Sequence, residues 1–290
     1  MLNRAPSGLA GWISYFRDTE IPVLAATAAA IDALRADEDR VDAQSIVAVV
    51  LEDPLMILRV LSHIARKRSS RTVTDLETIN SAVLMLGIPP FFREFSSMQT
   101  VEAHLQASPA ALDGLLRAIA RAHRAARFAL CMAVHRHDSG AEVIHEAALL
   151  HDFVEMLVWC HAPRLMLEIQ RRQRADPSLR SAALQREILH VDLVDLEQAL
   201  MKIWRLPEIL TRMTDDHHAD VPRVRNVLLA CVLARHSQDG WHNPALPDDL
   251  QAIAELLNQS PDHVRRKMMD LDGAVEEIEP ANGEFVFNVG

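Results

Sequence analysis

Apolar residues recur along this chain at helical spacing, three or four positions apart, and strict alternation of the kind a half-buried strand needs is absent. Between Leu55 and Arg66, the positions Leu55, Ile57, Leu58, Val60, Leu61 and Ile64 make one broad apolar helix face. Caps and breakers divide the rest. Pro22 can open a helix that continues from Val23 to Leu34, since its missing N–H costs nothing in a first turn. Asp42 caps a helix through Leu51, and Glu52-Asp53-Pro54 ends it and opens the next, because the residue before proline avoids the α region. Thr74 or Asp75 caps a helix from Leu76 to Leu86, Gly87 closes it, and Pro89-Pro90 opposes its continuation, which places the next helix from Phe92 to Leu105. Ser108-Pro109 starts the longest helical stretch, ending near Asp138-Ser139-Gly140. Further helices are expected over Glu142 to Cys160, Arg164 to Arg174, Leu179 to Leu189, Leu193 to Trp204 behind the cap Asp192, Pro207 to Asp216, and Pro222 to Ser237. After a turn-rich linker, Asp239 to Pro247, two short helices follow, Pro247 to Leu257 and Pro261 to Met269, and then an acidic end with Phe285-Val286-Phe287. The reading is all-α, with roughly a dozen helices.

Composition agrees. Only 9 of 290 residues are glycine and one is tyrosine, which disfavours an all-β fold. The formal net charge of −10 argues against a mainly electrostatic nucleic-acid binder. Cys131, Cys160 and Cys231 are odd in number and sit in apolar helical text, as free thiols in a reducing cytoplasm would. No apolar run approaches the roughly 18 residues of a membrane span, and Met1 to Gly11 lacks a secretory core, so a cytoplasmic location and no membrane partner are expected.

The chemistry rests on histidine and aspartate. Of 14 histidines, His123 has Ile119, Ala126 and Leu130 at helical spacing, and His151 has Ala147, Ala148, Val154 and Val158. His151-Asp152 follows the apolar run Ala147 to Leu150, and His217-His218 follows Asp215-Asp216. Imidazole and carboxylate are ligands for a borderline or hard divalent ion, which could activate water or hold a phosphate. A lone histidine on an apolar face is more often simply packed and hydrogen-bonded, and no short ligand motif such as HExxH is present. Arg121, Arg124 and Arg127 drift around one helix side and read as a solvated face, and Lys67 to Arg71 as a solvated basic loop.

Taken as an ordered set, several of these motifs resemble the HDOD domain, a bacterial signalling module related to HD-type metal phosphohydrolases. The resemblance rests on Ile21-Pro22-Val23-Leu24, Glu52-Asp53-Pro54-Leu55, Leu58-Arg59-Val60-Leu61, Val73-Thr74-Asp75-Leu76-Glu77 and Ala82-Val83-Leu84-Met85-Leu86-Gly87 in the first half. In the second half it rests on Ala122-His123-Arg124, Ala148-Leu149-Leu150-His151-Asp152, Trp204-Arg205-Leu206-Pro207 and Asp216-His217-His218. It implies a bipartite domain over 17–240, with an N-terminal helical half (17–105) and a degenerate HD-like half (106–240). A lead-in (1–16) precedes it and a helical extension and tail (241–290) follows.

The resemblance also implies a metal shell of a first His, the His-Asp pair and a late Asp. His123, His151 and Asp152 fit the first three as a partial or vestigial set, and Cys231 stands where the Asp is expected. Glu155 stands in place of a phosphate-binding Lys, and Leu193 in place of a further His. A carboxylate there sets like charge against a phosphate. The expectation is therefore a non-catalytic, stand-alone regulatory module acting through a signalling protein partner, with no catalytic residue and no cofactor. The alternative is one divalent ion and phosphohydrolase activity on a nucleotide or cyclic dinucleotide. If the pair is a buried network, His151→Ala or Asp152→Ala should disturb stability more than any turnover.

Overall fold

The computed structural model describes residues 1–67, 77–176 and 179–273. The Arg68–Arg71 part of the basic loop, the proposed Thr74 or Asp75 cap with the helix start at Leu76, and the acidic end with Phe285-Val286-Phe287 lie outside them. Among the described residues there are α-helices and short 3-10 turns but no sheet, so the all-α reading holds.

The N-terminal half holds α1 (Gly8–Phe16), α2 (Ala25–Ala36), α3 (Ala43–Leu51), α4 (Pro54–Lys67), α5 (Ile79–Leu86), α6 (Ile88–Glu94) and α7 (Val101–His104). The second half holds α8 (Pro109–His135), α9 (Ala141–Leu150), α10 (Phe153–His161), α11 (Pro163–Ala175), α12 (Ser181–Leu189), α13 (Leu193–Ile203), α14 (Glu208–Met213) and α15 (Pro222–His236). Two more helices, α16 (Leu246–Leu257) and α17 (Pro261–Asp272), continue the stack from α15. Among the described residues none is long and apolar enough to cross a membrane.

Local chemistry sets most boundaries. The Asp42 side chain accepts from the Ser45 N–H at 2.8 Å, capping α3. Asp53 is fully buried at the α3–α4 corner, where its carboxylate accepts from the N–H groups of Leu55 (2.9 Å) and Leu24 (2.7 Å) and ties the α2 start to α4. Gly87 ends α5 at φ +81°, a conformation that favours glycine. Two readings of the pattern are corrected. Pro89-Pro90 does not delay the next helix; both prolines sit in the first turn of α6, where no intrahelical N–H is needed. Helix α2 begins at Ala25 rather than Pro22, because Val23 is extended and pairs with Thr100 in an isolated bridge.

The long helix α8 is the axis of the second half, packed by α9, α10 and α15, while α4 packs against α9 and α10 to join the halves. The first 16 residues are more than a lead-in. Trp12 and Phe16 of α1 are buried, and the Trp12 indole donates to the Leu189 carbonyl at 2.8 Å, which clamps α1 onto the second half.

One buried carboxyl has a measurable signature. Glu146 of α9 is fully buried and accepts from the first N–H of α5, at Ile79, at 2.9 and 3.1 Å. Burial pushes its pKa up to about 8, against the opposing pull of that hydrogen bond. The unfolded chain ionises this group near the ordinary value of 4.5, so stability falls as pH rises from there to about 8. Glu146→Gln keeps the acceptor and removes the titration. We expect it to raise the melting temperature by several degrees at pH 8 and by little at pH 5. A gain of equal size at both values, or none, would sink this account.

Candidate functional site

The sequence reads Glu142 to Cys160 as one helix, but the chain turns at His151-Asp152. α9 ends at Leu150 and α10 starts at Phe153, so the pair occupies the corner between two helices. His151 is 6% exposed, and both ring nitrogens are engaged: Nδ1 with Asp152 at 3.1 Å, Nε2 with Asp216 at 2.9 Å. Asp216 opens the short 3-10 turn Asp216–His218 between α14 and α15.

Two arginines close on the same aspartate. Arg121 of α8 donates from Nη2 to Glu155 at 2.7 Å and to Asp152 at 3.4 Å, and Arg235 of α15 donates to both Asp152 oxygens at 3.1 and 3.2 Å. Arg121 is held further by Gln238 at 3.3 Å and is 9% exposed, so it is a buried site residue and not part of a solvated face. Burial would push the Asp152 carboxyl up. The Arg235 guanidinium, the His151 hydrogen bond and Arg121 outweigh it and hold the group well below the carboxylate range. Burial likewise opposes charge on His151, and Cys231, Asp152 and Asp216 raise its pKa well above the ordinary value. The Cys231 thiol is itself pushed up by burial and stays neutral, so the two carboxylates are the anions that hold the imidazole protonated.

His123 is not brought to the pair. It is half-buried on α8, and its Nε2 meets the Glu52 carbonyl at 3.0 Å, at the corner before α4. Residues two apart on a helix differ by about 200° in direction, so the face that aims Arg121 at Asp152 aims His123 elsewhere. His217 and His218 bind Asp215 at 3.1 and 3.0 Å and are exposed, so the aspartate beside them, not a histidine, reaches His151. Cys231 is 3% exposed and lies against the His151 ring.

This donor set does not fit a divalent ion. Asp152 already faces two guanidinium groups, and an added cation would meet both. Among the described residues no group of three or more His, Cys, Asp or Glu side chains is arranged to hold a metal. Sequence reasoning missed Arg121, Arg235 and Glu197. Glu197 of α13 is 6% exposed, and burial pushes its carboxyl well above the usual range. Asp216, quoted only beside its histidines, was the one signal available.

The cluster forms the floor of a cavity of about 490 Å³ between α8, α10, α11, α12 and α13, with Leu193 and Glu155 in its wall.

Solved structures share this architecture. A MmoQ response regulator from Methylococcus capsulatus is similar with a TM-score of 0.64 at 19% identity, covering 86% of this chain and 98% of that one. A virulence factor from Campylobacter jejuni has a TM-score of 0.59 at 15% identity, covering 88% and 89%. At such identities the likeness is one of fold. No curated protein matches the chain. The HDOD domain family profile matches residues 21–220, which spans both halves and every residue of the cluster except Cys231, Arg235 and Gln238. The chain belongs to the HDOD domain family.

Proposed function

We propose that this chain is a non-catalytic regulatory module of signal transduction that works by binding a protein partner. The observation that carries the reading is the double arginine clamp on Asp152, at 2.7 to 3.4 Å across Glu155 and Asp152. It neutralises from within the carboxylates that a hydrolytic centre would turn toward a metal and a phosphate. Glu155 supports the same reading, since its charge is spent on Arg121 and it offers a phosphate no cation. The fold shared with a protein described as a response regulator is in keeping with it.

The competing reading, an HD-type metal-dependent phosphohydrolase, has the proximity of His151, Asp152 and Asp216 in its favour. Metal analysis and phosphate release on one preparation separate the two. Purified protein given Mg²⁺, Mn²⁺ or Fe²⁺ is expected to retain well under one ion per chain after desalting and to release no phosphate from nucleotides or cyclic dinucleotides above the blank. About one ion per chain together with turnover that His151→Ala abolishes would overturn the regulatory reading. Photo-crosslinkers placed at exposed helix positions in cells should trap a discrete partner protein, and their failure to trap any would count against the partner.

A further inference from the structure

The cavity above the cluster has its own chemistry, separate from the clamp. Its floor spends its charges on itself: Arg121 on Glu155 and Asp152, Arg235 on Asp152, His151 on Asp216. At the mouth, Arg117 is paired with Asp239 at 2.7 Å. Arg174 is the lining guanidinium without a carboxylate among the described residues, and it stands exposed at the rim. Glu197 adds a buried carboxyl whose neutral form burial favours.

Apart from Arg174 at the rim, what remains unspent is uncharged. Gln170 of α11 and Gln185 of α12 line the mouth half-buried, with no hydrogen bond from either amide to a described residue. Each offers one acceptor and two donors. Among the described residues, Gln238 accepts from Arg121 through its oxygen and keeps its NH₂ free, and Gln173 donates to Ser181 and keeps its oxygen free. The walls between them are apolar, from Trp159, Met166, Ile169 and Leu193. A second observation points the same way. Three residues of this lining carry a buried polar atom without a partner: Arg121 Nε, Trp159 Nε1 and Glu197 Oε1. Buried polar atoms are nearly always satisfied, and three orphans in the walls of one cavity are an unusual concentration of unspent polarity beside it.

The geometry points to a binding site for a small uncharged molecule that carries amide or hydroxyl groups on one side and an apolar face on the other. The volume of about 490 Å³ suits such a ligand. Arg174 meets an anion only at the exposed rim; deeper in, a phosphorylated or carboxylated ligand would have to draw a guanidinium away from a carboxylate it already holds, whereas a neutral ligand uses the free amides and leaves the clamp intact. The site is independent of the partner reading above, and its test measures neither phosphate release nor partner capture.

Matched pairs of probes that differ in charge decide it: N-acetylglucosamine and its 6-phosphate, nicotinamide and nicotinate, N-acetylglutamine amide and N-acetylglutamate. The full chain is titrated with each, read by saturation-transfer NMR and by the melting temperature. At least one neutral member is expected to bind saturably, with its charged counterpart weaker by about tenfold or more. Gln170→Leu combined with Gln185→Leu should weaken that neutral probe by about tenfold, while the melting temperature without probe stays within about 2 °C, as fits two half-exposed side chains. Tighter binding of the charged members, full binding by the double variant, or no saturable binding of any neutral probe would overturn the site.

Discussion

Asp152→Ala is expected to lower the melting temperature by on the order of 10 °C. The change removes the anion shared by Arg121, Arg235 and His151; Arg121 keeps Glu155 and His151 keeps Asp216, but Arg235 loses its carboxylate among the described residues, in a site where Arg121 is 9% exposed and His151 6%. Breaking a buried ion pair from one side costs roughly 3–5 kcal/mol, because the remaining charge keeps its desolvation penalty without its partner. For a chain of this size each kcal/mol moves the melting temperature by about 2–4 °C. The sign of the coupling is also testable. The Arg121–Asp152 contact is broken by either single change, so Arg121→Met with Asp152→Ala should be less destabilised than the two single changes summed. Circular dichroism melts of the four proteins settle the matter. A shift under about 2 °C for Asp152→Ala, or strict additivity of the pair, would show that the clamp contributes nothing to the fold.

Gly114→Ala is expected to be nearly as damaging, for a steric reason. A methyl group at Gly114 would sit 2.4, 2.6 and 2.7 Å from three carbons of the Trp159 ring, far inside van der Waals contact. The neighbour is a rigid indole, 4% exposed and wedged between α8 and α10, so it cannot swing aside cheaply. Overpacking of this kind costs about 1–3 kcal/mol or more, and here α8 and α10 would have to separate. That separation moves Arg121, two turns along α8 from Gly114, away from Glu155 on α10. Trp159→Leu is itself destabilising through the cavity it leaves, by roughly 3–5 kcal/mol. The double change Gly114→Ala with Trp159→Leu should nevertheless lose clearly less than the sum, because the new methyl then enters space the ring vacated. If Gly114→Ala melted like the parent chain, the close approach of these two helices would be refuted.

Most helices were legible because their signals are local. Asp42 caps within three residues, Gly87 stops a helix by its own backbone freedom, and the apolar face of Leu55 to Ile64 declares itself by spacing. Two of the misread boundaries arose where a distant contact decided the outcome. Val23 is extended because Thr100 pairs with it, and the chain breaks at His151-Asp152 where Asp216, Arg121 and Arg235 converge from other elements. No breaker residue marks that corner, so periodicity alone ran one helix from Glu142 to Cys160.

The candidate site divides the same way. His151 and Asp152 were identifiable because they are adjacent in the chain and follow an apolar run. His123 was paired with them by resemblance, yet its direction around α8 carries it to Glu52 instead. Arg121 reads as one of three surface arginines on a single helix side, and nothing in its neighbours announces that α10 packs over it and buries it. By itself the sequence determined the helical class, most element boundaries, the His-Asp pair and the family, since each depends on short-range spacing or on an ordered set of local motifs. Only the tertiary structure decided that Asp152 is clamped by two arginines from α8 and α15, and that three unpartnered polar atoms gather around one cavity. Those facts depend on which helix faces meet, which is set by packing between residues far apart in the chain.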